Sequence, residues 1–439
     1  MQEDNREING KIVTTLVVEG ALVGVLAGLA VILYRFLIDN SLSFIKDYYA
    51  RANLKMIVPL LIVFFILSFL ARYFIKWAPL SGGSGIPQVV GEIQGRFNMN
   101  PVKVMISKFV GGIAGALGGL SLGKEGPSVQ IGGACGKLIA KITKREDLEK
   151  SLISAGAGAG LAGAFVAPLS GVLITMEEFT KTFSPYVFIP TISACFVTTI
   201  IFKVIFGLDL MFSFTIVEQL PLHVYFHIIV LGVFVSIVGV LFNKGLLFAK
   251  EKMSKSSISP LILTYVAFLM AIIFGLTYPE VLGGGHSLIE VIHASDSTRE
   301  SLKLLVLILA LKLFYTAFCF GTGIQGGTLV PTLTMGALAG AIYFYATKRL
   351  GISSMDDEFL ANFIVLGMAG MLASVMRSSL TSIMIVLEMT GSYVHFAGFA
   401  LVVIISYMVA YLLKSNPFYE TLLDNLITDM RKVEKEDII

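Results

Sequence analysis

The chain of 439 residues is 56% hydrophobic and 14% charged, and its mean hydropathy of +0.83 lies far from the balance of water-soluble domains. Its net charge of +3, from 33 Lys plus Arg against 30 Asp plus Glu, provides no strong positive field and so argues against a nucleic-acid partner. Cys135, Cys195 and Cys319 stand far apart in apolar stretches, which predicts neither a disulfide framework nor a metal cluster.

Apolar segments long enough to cross a bilayer, roughly 20 residues each, recur along the whole chain. Examples are residues 57–74, 222–242 and 396–413. The first segment begins near Ile12 and is followed by further apolar segments rather than by a cleavage site, so we interpret it as a structural helix. The sequence therefore predicts an all-α polytopic protein with the lipid bilayer as a partner.

Gly and Pro interrupt the apolar pattern at four places. These are SGGSGIPQ (81–88), LGKEGPSVQ (122–130), AFVAPLSG (164–171) and QGGTLVPT (325–332). Main-chain groups freed from helical bonding in hydrocarbon cost several kcal/mol each, so such breaks persist only where protein or a watery cavity surrounds them. Transporters place their binding sites at breaks of this kind. We therefore expect a buried site where they meet.

An internal repeat is indicated by residues 107–127, which align with residues 311–331 without a gap, so that Lys108 meets Lys312 and Gly123 meets Gly327. Two further pairs follow in the same order: 80–90 with 282–292, and 161–178 with 372–389. We predict two repeats, at about 10–210 and 220–415, with a site between them near the membrane midplane. The alternative is that glycine-rich membrane helices resemble one another through composition alone.

The first break contains GSGIP, in which glycine frees the backbone and proline is tolerated at a helix start. The unpaired N–H groups and positive dipole end of such a helix can hold an anion, and Ser84 adds an uncharged hydroxyl donor. Alternatively, Ser84 caps its helix.

The second break, GKEGP, places the carboxylate of Glu125 where an anion would sit at a helix start. A capping role is one interpretation. The other is that Glu125 competes with a free anion for the same site, and that protonation of its carboxylate releases the site and links proton binding to anion passage. The later GGTLVP predicts another helix start, with main-chain donors but no acid, although close packing of its glycines is an alternative.

GSGIP, GKEGP and GGTLVP, in this order and spacing, resemble the three anion-coordinating motifs of the CLC family of chloride channels and transporters. The similarity extends from about residue 15 to residue 423. It implies a fold of about eighteen helices in two inverted repeats, with many helices broken or tilted, and a homodimer with a separate pathway in each subunit.

The resemblance also implies a chloride site. Its residues are Ser84, Gly85, Ile86, Glu125, Gly126, Thr328, Leu329 and Tyr419. Ser84 and Tyr419 would donate hydroxyls to a central chloride, and the amides of Thr328 and Leu329 would approach it from the opposite side. Leu329 stands where the family commonly has phenylalanine. This difference puts the width and the hydration of the ion pathway beside the site in doubt.

Two acids fall on positions that handle protons in the family. Glu125 matches the gating glutamate, and Glu178 matches the inner proton glutamate of exchangers, which favours exchange over passive conduction. The alternative for Glu178 is an ordinary helix-end acid that faces water. Lys108 and Lys312 lie in apolar surroundings, where they would either raise local anion affinity or pair with acids such as Glu388.

Together these features predict a secondary transporter that exchanges chloride for protons across a prokaryotic cell membrane, with both termini cytoplasmic. A passive chloride channel on the same scaffold remains the alternative. We expect no enzyme activity, no cofactor and no metal, with chloride bound as substrate. Only twenty residues follow Tyr419, which predicts a C-terminal helix at 416–430 and leaves no room for the cytoplasmic CBS domain pair of many eukaryotic relatives.

Overall fold

The computed structural model describes residues 10–51, 54–207, 212, 216, 220–294, 302–352, 356–391 and 393–436. Seventeen α-helices account for most of these residues, which confirms the predicted all-α membrane fold. The first eight are α1 (Gly10–Ala50), α2 (Leu54–Trp77), α3 (Ile86–Ile93), α4 (Pro101–Leu117), α5 (Glu125–Ile142), α6 (Glu149–Phe165), α7 (Pro168–Ile174) and α8 (Pro185–Phe206). The next eight are α9 (Leu222–Ser254), α10 (Pro260–Thr277), α11 (His286–Ala294), α12 (Leu302–Gly321), α13 (Leu329–Arg349), α14 (Leu360–Met376), α15 (Ser379–Thr390) and α16 (Phe396–Leu412), and α17 (Phe418–Glu436) closes the chain.

Nine helices in the described part of the chain are long and apolar enough to cross a membrane. They differ in how much of their apolar surface is buried inside the protein. The apolar windows of α13 and α14 are 89% and 94% buried, whereas that of α2 is only 22% buried. Because α2 is still apolar all round, its exposed side chains, such as Ile62 and Phe69, are suited to lipid rather than water.

The predicted breaks fall where the helices begin and end. α3 begins at Ile86, α5 at Glu125 and α13 at Leu329, while α6 ends at Phe165 and α7 begins at Pro168. Before α3, Gly85 has φ of +103°, a left-handed conformation that a Cβ atom would strain. Ile86, Glu125 and Leu329 are all buried, so the first main-chain N–H groups of α3, α5 and α13 lie inside the protein rather than at its surface.

Glycines at matched positions make matched contacts in the two halves of the chain. A Cβ atom on Gly132 of α5 would overlap the carbonyl oxygen of Gly156 in α6, and one on Gly336 of α13 would lie 2.5 Å from the carbonyl oxygen of Gly367 in α14. The two helix pairs therefore approach closely by the same means. The repeat boundaries themselves stay a prediction, and the end of the first repeat at residue 210 lies outside the described residues.

The last helix is longer than predicted. The sequence indicated a helix at 416–430, whereas α17 runs from Phe418 to Glu436. The added residues, 431–436, read RKVEKE and consist mainly of strong helix formers, so nothing in their composition ends the helix at 430.

Candidate anion site

The loops that precede α5 and α13 pair with each other in the middle of the protein. Gly123 N donates to the carbonyl oxygen of Gly327, and Gly327 N donates back to Gly123, both at 2.7 Å, in an isolated antiparallel bridge. The loop before α3 joins them: Gly83 N donates to Gly323 O at 3.0 Å, and Gly326 N donates to Gly83 O at 3.1 Å. The three breaks that are separated in sequence thus meet at one place.

Small residues allow the three helix starts to come this close. A Cβ atom on Gly126 would lie 2.8 Å from the carbonyl oxygen of Ser84 and 3.3 Å from Cα of Gly327. A Cβ atom on Gly327 would lie 2.9 Å from the main-chain nitrogen of Gly126. Because the starts of α3, α5 and α13 carry free N–H groups and partial positive charge, their meeting point favours an anion.

Two hydroxyls at this point are buried and have no hydrogen-bond partner within the described part of the chain. They are Ser84 Oγ and Thr328 Oγ1, on residues that are 2% and 1% exposed. Ser84 does not cap α3, because Gly85 holds the N-cap position and no side-chain cap bond is made there. The capping interpretation of Ser84 is therefore wrong. The phenol of Tyr419, near the start of α17, lies close to the hydroxyls of both Ser84 and Thr328 but makes no hydrogen bond of normal geometry with either.

Glu125 is the first residue of α5 and is 1% exposed. Its carboxylate interacts with its own main-chain N–H and with that of Val330, in the first turn of α13. The second carboxylate oxygen, Oε2, lies against Gly123 and has no hydrogen-bond partner among the residues described. A side-chain carboxylate thus already occupies the junction of two helix starts, which is the chemistry expected of a position that also suits a free anion.

A cavity of about 260 Å³ adjoins Glu125. Its wall includes Lys46 and Lys124, and Lys124 Nζ donates to both carboxylate oxygens of Asp39 at 2.5 Å. The Asp39 side chain is 49% exposed, so the cavity reaches from the buried glutamate to the protein surface. It brings positively charged groups beside a path to Glu125.

Glu178 lies in one turn of π-helix, Thr175–Phe179, after α7, and only 7% of it is exposed. Its Oε2 accepts a hydrogen bond from Ser378 Oγ at 2.6 Å, at the residue before α15. The alternative that Glu178 faces water is therefore wrong. Tyr419 interacts electrostatically with both Glu178 and Glu125, so its phenol lies within range of both acids.

Comparison with known proteins agrees with this arrangement. The sequence profile of the family described as voltage gated chloride channel matches residues 63–411. The chain belongs to the CLC family. Among its relatives, this CLC protein is 31% identical over 444 residues to the H(+)/Cl(-) exchange transporter ClcA of Vibrio parahaemolyticus, a match that covers 97% of this chain and 92% of that one. It is 33% identical over 437 residues to ClcA of Vibrio cholerae, covering 95% and 90% of the two chains.

Solved structures share the fold of this CLC protein. The crystal structure of a slow cyanobacterial Cl−/H+ antiporter superposes with a TM-score of 0.85 at 26% identity, over 96% of this chain and 99% of that one. A CLC-type fluoride/proton antiporter superposes with a TM-score of 0.78 at 22% identity, over 94% and 98% of the two chains, which shows the shared fold alone. The predicted family is confirmed.

Two buried lysines of this CLC protein, Lys108 and Lys312, bind main-chain oxygens. Lys108 Nζ donates to Gly83 O at 2.7 Å, and Lys312 Nζ donates to the carbonyl oxygens of Val281 and Gly283 at 2.9 and 2.5 Å. Pairing with Glu388 was one predicted alternative, and it is wrong because Glu388 instead accepts main-chain N–H groups at the start of α7. Each lysine fixes the loop before a short helix. The alternative that Lys108 and Lys312 raise local anion affinity stays a prediction.

Two features of this CLC protein did not follow from the sequence. Thr328 was assigned only a main-chain role, yet its side-chain hydroxyl also lies at the meeting point of the helices. A hydroxyl residue directly before a helix start was the available signal, but it equally indicates an ordinary N-cap. Leu329 is 1% exposed and packs in the main hydrophobic core, and its effect on the pathway stays a prediction.

Proposed function

We propose that this CLC protein is a secondary transporter that exchanges chloride for protons across the cell membrane. The observation that carries the proposal is the Glu125 carboxylate, which lies at the joined starts of α5 and α13, within electrostatic range of the Tyr419 phenol. The exchange activity stated in the names of its ClcA relatives supports the same function.

In this proposal chloride binds at the point where the three helix starts meet. The main-chain N–H groups of Gly85, Ile86 and Gly126 would face it from α3 and α5, and those of Thr328 and Leu329 from α13. Ser84 and Tyr419 would add hydroxyl donors. These groups are dipoles rather than full charges, so they bind an anion favourably without holding it so strongly that it cannot leave.

Glu125 would alternate with the ion. When ionised, its carboxylate satisfies the same N–H groups that a chloride needs, so the two negative charges exclude one another. When protonated, Glu125 loses most of its affinity for these donors and withdraws, and chloride takes its place. One proton taken up at Glu125 thereby accompanies the movement of anions past it, which is the coupling that exchange requires.

Glu178 would load protons from the cytoplasmic side. Support comes from its burial and from the Ser378 hydroxyl that holds its carboxylate, which together keep an ionisable group inside the protein at a defined position. Tyr419 lies within electrostatic range of both acids, which supports a connection between them through the interior of the protein. Gradients supply the free energy, and no cofactor, metal or covalent step is part of this mechanism.

The same proposal includes the larger assembly. The protein would be a homodimer with a separate pathway in each subunit, and its repeats would span 10–210 and 220–415, with both termini in the cytoplasm. Support for the repeats comes from the matched glycine contacts and from the order of α1–α8, which α9–α16 follow.

The experiment that tests exchange uses the purified protein in liposomes. An outward or inward chloride gradient is imposed at equal pH on both sides, and external pH is recorded with and without a proton ionophore. Exchange predicts that chloride flow drives protons uphill until the ionophore collapses the pH difference. Chloride flux without any proton movement would favour the passive channel. The absence of chloride flux would contradict the proposed function.

A further inference from the structure

The side-chain hydroxyl of Thr328 does not cap helix α13, although Thr328 stands at its N-cap position. Thr328 occupies the N-cap of α13, where a threonine side chain usually accepts a hydrogen bond from an N–H group of the first turn. Here φ and ψ are −113° and 2° rather than extended, and no side-chain cap bond forms. Helix capping therefore does not account for this residue.

Burial makes the free hydroxyl costly. Thr328 is 1% exposed, and Oγ1 has no hydrogen-bond partner in the ranges that the structure describes. A buried hydroxyl without a partner has lost its hydrogen bonds to water and gained none in return, so such groups in native proteins call for an explanation. The neighbouring Thr332 shows the ordinary solution, because its hydroxyl donates to the carbonyl oxygen of Thr328 at 2.7 Å.

Thr328 also belongs to a set of three buried hydroxyls from separate parts of the chain. The Tyr419 phenol interacts with the hydroxyls of both Thr328 and Ser84, and Ser84 Oγ likewise has no hydrogen-bond partner among the described residues. Each hydroxyl carries one proton to donate. Ser84 and Thr328 do not bond each other, so contacts through Tyr419 can use at most two of the three donors. The remaining donor needs an acceptor from outside the set, and at the joined helix starts that acceptor is an anion.

We propose that the side-chain hydroxyl of Thr328 is a third hydroxyl donor to the transported anion and a determinant of its selectivity. The inference rests on the proposed function, because it concerns the same anion site. An additional donor strengthens the field that replaces the hydration shell of the ion, which benefits a small anion of high charge density more than a large, weakly hydrated one. Thr328 would therefore favour chloride over nitrate and thiocyanate.

The test measures anion binding to the purified full-length protein by isothermal titration calorimetry, with chloride and nitrate titrated separately. Thr328→Val keeps the shape of the side chain and removes the hydroxyl, whereas Thr328→Ser keeps the hydroxyl. Thr332→Val is the matched control, because it removes a buried hydroxyl one turn later in α13 that bonds only within its helix.

We expect Thr328→Val to raise the chloride Kd about tenfold, which corresponds to about 1.4 kcal/mol. The nitrate Kd should rise much less, so that the preference for chloride over nitrate falls. Thr328→Ser should retain both affinities and the wild-type preference, and Thr332→Val should leave the preference unchanged. A purely structural role would lower the affinities for chloride and nitrate together rather than that for chloride selectively.

Unchanged chloride affinity in Thr328→Val, or equal losses for chloride and nitrate, would overturn the inference. If Ser84→Ala still weakens chloride binding in that case, the proposed function stands and only Thr328 is misassigned. Failure of the wild-type protein to bind or move chloride at all would instead remove the proposed function. Should Thr328→Val not fold, Thr328→Ala takes its place, and equal chloride affinity in the alanine and serine variants would overturn the inference.

Discussion

Glu177 and Glu388 form reciprocal helix caps between the two halves of the protein. Glu177 caps the start of α15, the helix that contains Glu388, and Glu388 caps the start of α7, the helix that precedes Glu177. The Glu177 carboxylate accepts the main-chain N–H groups of Leu380 and Thr381 at 3.2 and 2.8 Å, at the start of α15. Glu388 accepts main-chain N–H groups at the start of α7, from Ser170 at 2.7 Å among others. The two glutamates occupy equivalent positions in the matched segments 161–178 and 372–389. Each half of the chain therefore supplies the acceptor for free N–H groups at a helix start in the other half.

This exchange of caps predicts a structural role for Glu177. Glu177→Ala leaves the main-chain N–H groups of Leu380 and Thr381 without their charged acceptor, and losing an acceptor at a helix start costs about 0.5–2 kcal/mol. We expect a lower Tm of the detergent-purified protein, measured by thermal unfolding followed by intrinsic fluorescence. The exposed Glu358 provides the control, since Glu358→Ala should leave the Tm unchanged. An unchanged Tm in Glu177→Ala would contradict the capping role.

Glu178, the next residue, should behave differently. Glu178→Gln keeps a group that can accept from the Ser378 hydroxyl but removes the titrating carboxylate. We expect liposomes with this variant to lose proton pumping while chloride flux continues, with a Tm close to that of the wild type. Glu177→Gln is the matched control and should keep coupling. If Glu178→Gln still pumps protons at the wild-type rate, its assignment as the proton-loading acid is wrong.

Glu125→Gln tests the gate itself. The amide has nearly the shape of the protonated acid and carries no charge, so it no longer competes with chloride for the N–H groups at the helix starts. We expect proton movement to be abolished and chloride flux to persist without voltage sensitivity, as measured by parallel chloride-electrode and pH recordings from liposomes. Persistent proton transport in this variant would contradict the proposed competition between carboxylate and anion.

The contact between α5 and α6 yields a prediction about stability. A methyl group on Gly132 would overlap the carbonyl oxygen of Gly156, so Gly132→Ala should force the helices apart and lower the Tm and the yield of folded protein. Gly245 of α9 is the control, because nothing lies within 4 Å of a Cβ placed there. Gly245→Ala should be neutral or stabilising, by up to about 1 kcal/mol from helix propensity. Equal Tm values for the two variants would show that the helices can separate without cost.

The sequence by itself determined that the protein lies in a lipid bilayer, that it is all-α, and where Gly and Pro interrupt its helices. Long apolar runs exclude a water-soluble domain, and Gly and Pro end helices through local sterics, so Ile86, Glu125 and Leu329 were predictable as helix starts. The order of GSGIP, GKEGP and GGTLVP was enough to indicate the family and most of the candidate anion site. All of this information lies within a few residues of each motif.

Only the tertiary structure decided how these local pieces meet. The mutual hydrogen bonds of Gly123 and Gly327 join residues about two hundred positions apart, and no local pattern encodes such a contact. The π-helical turn directs Glu177 to the start of α15 and Glu178 to Ser378, a distinction that two adjacent acids do not reveal in sequence. The partner of a buried polar group depends on which distant segment packs against it, so its role is fixed by packing rather than by its neighbours in the chain.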